Sequence, residues 1–311
     1  MIVSSCVSIT KAMRGLILFV ALACLAAVPA QAPPVVELAA AKRLLPTAAA
    51  GACSDVPCLI ERAYQADAKA SRLASALFQA TGDVPGVGPA ETMDGGFRGT
   101  IQLVPQLPIN GYRRHLVWVK GGAEAIDRFF DGLFAGRPLP NYRWRALEFR
   151  FVRSLVKHRP SAYAFDWTIA YNVEGSLNIS EKGVRETLFH ELFHLNDEAH
   201  GDWSVQHLAE DYRAILEKCG AHATLQCLAP YAPNDTLVRG GTYYAFQPNN
   251  GVTVHEYAAE LAVRYFKEHS ELLAKGKLSQ RAFKCGPAPN ARAWSALINE
   301  FFAGRDLTPG C

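Results

Sequence analysis

The residues 190–200 read HELFHLNDEAH. His190 and His194 are four apart, and on a helix that spacing puts two imidazoles on one face, within reach of one metal ion. Glu191 lies beside that face. It need not bind the metal and is positioned to take a proton from a water whose pKa a cation lowers. The flanking Leu188, Phe189, Leu192, Phe193 and Leu195 are apolar, so the helix is expected to be buried. Two histidines and a glutamate inside such a helix are costly without a cation.

A catalytic zinc takes three protein ligands and keeps a fourth position for water, so a third ligand is needed. His200 is one candidate, because it completes the longer metzincin spacing. That pattern turns sharply at its eighth position, usually on Gly, and Asp197 stands there. Metzincins also carry a methionine turn downstream, whereas Met1, Met13 and Met93 all precede the motif. The other candidate is HEYAAELAVRYF (255–266), a nearly all-round apolar helix on which Glu256 and Glu260 share a stripe. Two carboxylates in such surroundings repel each other. A nearby cation removes the conflict if one binds it and the other orients a ligand histidine. Asp197 is either a hydrogen-bond partner of a ligand histidine or an ordinary end-of-helix residue.

H-E-x-x-H followed about sixty residues later by E-Tyr-A-A-E resembles the gluzincin family of zinc peptidases, and within it the catalytic domain of anthrax lethal factor and its relatives. The resemblance covers roughly 175–270, including EGSLNIS before the motif helix. It implies one zinc ion per chain held by His190, His194 and Glu256, with Glu191 as general base and Glu260 behind a ligand histidine. It also implies a tyrosine seven residues before the glutamate ligand that assists the transition state. That position is Asn249 here, and a longer loop (FQPNNGVTV) would have to bring Tyr244 to the site instead.

Several elements must position these groups. After Ala/Pro-rich residues 31–52, expected to be a linker or propeptide, a helix is expected over 59–80 and a loop over 81–96. Strands are expected at 98–105, 113–120 and 146–153, with a helix at 123–134. SAYAFDWTIAYNVEGSLNIS (161–180) suggests two strands turning at Glu174-Gly175, the second an edge at 175–180 able to pair with an extended peptide. The rest reads as helices at about 203–218, 253–269 and 290–303. The expected fold is α+β and zincin-like, a single domain over 53–311 with a mixed sheet before the motif helix and a mostly helical C-terminal part.

The chain has 311 residues, half of them apolar, and a net charge of +3 with no basic run. That suits a packed core and leaves no footprint for nucleic acid. Lys11 and Arg14 followed by the apolar run 16–28 and VPAQA read as an export signal over residues 1–30, and no later run is long enough for a membrane span. The product is then secreted or periplasmic. Removing the signal takes Cys6 and Cys24 and leaves six cysteines, expected to form disulfides between neighbours. Taken together, these readings predict an exported zinc peptidase acting on a peptide or protein. The alternatives are a zincin-fold binding protein without turnover and a hydrolase of cell-wall peptides.

Overall fold

The sheet is built before the motif helix begins. The computed structural model describes residues 35–46, 50–157, 159–220, 223–238 and 241–311, so the expected export segment lies outside it. Helices α1 (Leu38–Leu44), α2 (Val56–Ala63) and α3 (Ala68–Thr81) lead into strands β1 (Val84–Gly86), β2 (Glu91–Asp94) and β3 (Thr100–Pro105). Helix α4 (Arg113–Leu133) is followed by β4 (Glu148–Ser154), β5 (Ala162–Phe165) and β6 (Thr168–Asn172). The second half holds α5 (Glu181–Ala199), α6 (Trp203–Cys219), α7 (Leu225–Leu228), the ribbon β7 (Leu237–Val238) and β8 (Thr242–Tyr243), α8 (Thr253–Lys275) and α9 (Ala288–Phe301). The architecture is α+β with a mixed sheet first and helices after it. Among the described residues no helix is long and apolar enough to cross a membrane.

The sheet runs β2-β3-β4-β6-β5, with β1 pairing the first half of β4. β4 is parallel to β1 and β6 and antiparallel to β3. β5 closes the order as an antiparallel edge beside β6. In the stretch expected to be a linker or propeptide, Ala41, Leu44 and Leu45 are buried, and the Leu44 carbonyl accepts a bond from Val87 N beyond the end of β1.

Five expectations change. The helix expected over 59–80 is two helices, because Asp67 caps a fresh start with bonds from Lys69 N and Ala70 N. Residues 81–96 contain β1 and β2 rather than only loop.

Residues 113–120 are helix, not strand. Leu116, Val119, Ala123, Ile126, Phe130 and Leu133 recur at helical spacing and are all buried. Gly121-Gly122, which reads as a break, is where α4 crosses α5: a Cβ on Gly122 would sit 2.9 Å from the Leu188 side chain.

The hairpin within 161–180 turns at Asp166-Trp167, both left-handed (φ 45° and 60°), instead of at Glu174-Gly175. Residues 175–180 are therefore not an edge strand. Asn178 Nδ2 donates to the carbonyls of Ser161 and Asn172, so the segment folds back onto the sheet. β5 is the edge in its place.

The core is one continuous body in which Phe189 and Phe193 of α5 meet Phe129 of α4, Phe266 of α8 and Phe301 of α9. α5 starts at the Ser180 cap, whose hydroxyl accepts from Gly183 N. The six cysteines pair as neighbours: Cys53–Cys58, Cys219–Cys227 and Cys285–Cys311.

Between α3 and β1, Asp83 is fully buried and accepts a bond from Leu147 N at 2.9 Å, which helps set β1 against β4. Its second oxygen has no partner among the described residues. Burial pushes its carboxyl up from 3.8 to about 7. The folded protein then keeps a proton that the unfolded chain releases, so Asp83 makes stability fall as pH rises from about 4 to about 7 and adds no slope above that. Thermal melts of the wild type and Asp83→Asn across this window should show a downward slope that is smaller in the variant. Identical slopes would contradict the assignment.

Candidate metal centre

α5 and α8 cross so that the motif histidines face the first turn of α8. His190 Nε2 lies 3.0 Å from Glu256 Oε2 and 3.1 Å from His194 Nε2. His194 Nε2 lies 3.6 Å from the same Glu256 oxygen. Ligand atoms on a tetrahedral ion at zinc distances would stand about 3.3 Å apart, and the three separations bracket that value. These three residues form the group among the described residues able to share a metal ion.

The groups around them bear on the same three side chains. Glu260, one helical turn beyond Glu256, approaches the other ring nitrogen, His190 Nδ1, at 3.3 Å. Its second oxygen accepts from Thr236 Oγ1 at 3.2 Å. A carboxylate that takes the free N–H of a ligand histidine fixes its tautomer and its aim. Burial alone would lower the His190 imidazole, but the bonds to Glu256 and Glu260 outweigh it and hold it well above the usual histidine range. Burial would raise Glu256, but its two histidine contacts pull it well below the usual carboxylate range. Glu191, also buried, has no such bond, and burial raises its carboxyl.

The other expected residues separate. His200 ends α5 and pairs with Glu300 at 2.6 Å. The helix does not turn at Asp197 but runs to Ala199, which carries His200 about 9 Å along the axis from His194. Asp197 accepts from Ser204 N at 2.7 Å and Ser204 Oγ at 2.6 Å. It ties α5 to the start of α6 and makes no bond to a histidine among the described residues.

Tyr244 comes to the site. Its ring centroid is 5.9 Å from that of His190. It stands on a single 3-10 turn, 244–246, held by a bond from its own N–H to Thr236 O. Burial, then the charge of Glu256, raises its hydroxyl above the normal tyrosine range, so it stays a proton donor. Asn249, seven residues before Glu256, is left-handed (φ 54°), and its carbonyl accepts from Phe97 N at 2.7 Å.

That bond reveals a neighbour with no signal in the sequence. The β2–β3 turn reaches over the site and delivers Arg98, whose Nη1 donates to Asn250 Oδ1 at 3.1 Å. Gly96 permits the approach, because a Cβ there would lie 2.2 Å from the Asn249 carbonyl oxygen.

Two cavities, of about 490 and 400 Å³, flank the cluster and share Ala162, His190, Glu191 and Tyr244. Ala162 begins β5, so the edge strand borders both. Compared with known proteins, the chain matches no family model, no curated protein and no solved structure.

If the cluster holds a metal, Glu260→Gln should weaken it about 10–100-fold without removing a ligand, whereas His200→Ala should leave it unchanged. Competition with a chelator measures both. A loss on His200→Ala equal to that on Glu260→Gln would contradict this geometry.

Proposed function

We propose that the chain is a zinc-dependent peptidase of gluzincin type. One observation carries the reading: two imidazoles and one carboxylate from separate helices converge on a common point, with an uncommitted glutamate beside them in a cleft under a free strand edge. Zinc suits two nitrogens and one oxygen with an open position. Non-haem iron also uses two histidines and a carboxylate, but that chemistry has no need of a buried glutamate next to the first histidine.

His190, His194 and Glu256 would hold the ion, which supplies a Lewis acid and a water of lowered pKa. The chain's residues do the rest. Glu191 takes the proton of the attacking water and passes it to the departing amine, and the raised pKa that burial gives it brings it nearer the neutral range where such a shuttle works best. Tyr244 keeps its proton and donates to the carbonyl oxygen as it gains charge. The free edge of β5 offers backbone groups to an extended peptide. Leu177 and Leu237, exposed at the rim of the larger cavity, and Val252 at the rim of the smaller one, suit a substrate that brings apolar side chains. Three disulfides agree with an oxidising compartment and hence with export.

Glu191→Gln should keep its zinc and lose about 10²–10⁴-fold in kcat on a peptide substrate. Tyr244→Phe should lose on the order of 10²-fold in kcat with little change in KM. Metal analysis beside steady-state kinetics reads both. Full turnover by zinc-loaded Glu191→Gln would refute the general-base role.

A further inference from the structure

The two cavities differ in charge. The smaller is bordered by Asp197, Glu198 and Asp202. The larger is bordered, apart from the metal cluster and its supporting residues, by Arg98, Lys157 and Arg159 against one carboxylate, Glu186. Glu186 already faces two cations, Lys182 at 3.7 Å and Lys267 at 4.0 Å. Arg159 has a loose pairing with Glu174 at 3.6 Å. Neither Lys157 nor Arg98 has a carboxylate within ion-pair range among the described residues.

Arg98 is the informative one. It is half-buried, lies over the Phe97 ring at 4.2 Å, and borders the same cavity as His190, Glu191 and Tyr244. Its polar partner is a neutral amide, Asn250. A guanidinium taken partly out of water beside a reactive centre, with no carboxylate in ion-pair range among the described residues, is a ready partner for a carboxylate, which it engages through two parallel bonds.

We propose that this chamber selects a carboxylate on the peptide substrate, with Arg98 as its anchor and Lys157 and Arg159 providing a positive rim. The proposal rests on the peptidase reading. β5 gives it a direction. Ser161 borders the basic chamber, whereas Tyr163 and Ala164 border the acidic one. A peptide that adds antiparallel to β5 therefore lays its C-terminal half in the basic chamber. The selected carboxylate belongs to the leaving fragment, either as an acidic side chain just after the cut or as the chain terminus. The acidic chamber on the other side disfavours acidic residues before the cut.

The test uses zinc-loaded protein and quenched fluorescent peptides. They differ only in Glu, Gln or Lys at each position around the cut, and each is made with a free and an amidated C-terminus. The expected result is a kcat/KM about tenfold or more higher with the carboxylate than without it, read as Glu over Gln on the C-terminal side alone or as free over amidated terminus. That ratio should fall toward one in Arg98→Gln and shrink in high salt. A rate lost on amidation while Glu and Gln are cut alike assigns the carboxylate to the chain terminus, and a Glu-over-Gln ratio that survives amidation assigns it to a side chain.

Preference for Lys or Gln on that side, or a ratio untouched by Arg98→Gln, overturns the proposal. If no peptide is cut, the peptidase reading fails separately. Fluorescence anisotropy of the same peptides on Glu191→Gln protein still reads the chamber: tighter binding of Glu than Gln, or of the free than the amidated terminus, lost in Glu191→Gln/Arg98→Gln, sustains carboxylate selection, and equal binding in both comparisons ends it.

Discussion

The crossing of α5 and α8 is the constraint on which the rest depends. It presses a carboxylate and two imidazoles into van der Waals range in a buried place. Each group alone is costly there, and the contacts shift His190 and Glu256 in opposite directions to share the charge. The aromatic packing of Phe189 against Phe266 at 4.4 Å between ring centroids, and of Phe129 against both, holds the two helices at this crossing. The apolar sides of the helices thus fix the spacing of their polar sides.

Several loops around the cleft are anchored back to that crossing. Thr236 binds Glu260, and the Thr236 carbonyl holds Tyr244. Asn249 and Asn250 receive the β2–β3 turn, which carries Arg98. Asp197 fastens α6 to the end of α5. Residues distant in sequence are therefore positioned by short chains of hydrogen bonds that begin at the two helices, a rigid support of the kind a reactive site needs.

Much of this was legible in the sequence, and the parts that were not have physical causes. The α5 and α8 helices could be read because their apolar residues follow one period and their polar residues form a single pattern against it. Glu260 could be read because two carboxylates on a buried helix demand an explanation. α4 could not: Val117, Trp118 and Val119 resemble a strand, and Gly121-Gly122 serves a helix crossing that only the folded chain reveals. The β5–β6 turn uses Asp166 and Trp167 in left-handed conformations that carry no glycine to announce them. Arg98 lies in a turn with no local pattern, and its place depends on loop 249–250, far along the chain. Tyr244 was nameable but not placeable, since its position depends on how a long loop closes.

The central claim is that His190, His194 and Glu256 share one ion. Anomalous diffraction from crystals of the protein grown with zinc, recorded at energies on either side of the zinc edge, tests it most directly. The account predicts a single strong peak about 2.0–2.2 Å from His190 Nε2, His194 Nε2 and a Glu256 oxygen. A peak bound by the histidines with Glu256 turned away, or no peak at this point, would contradict it.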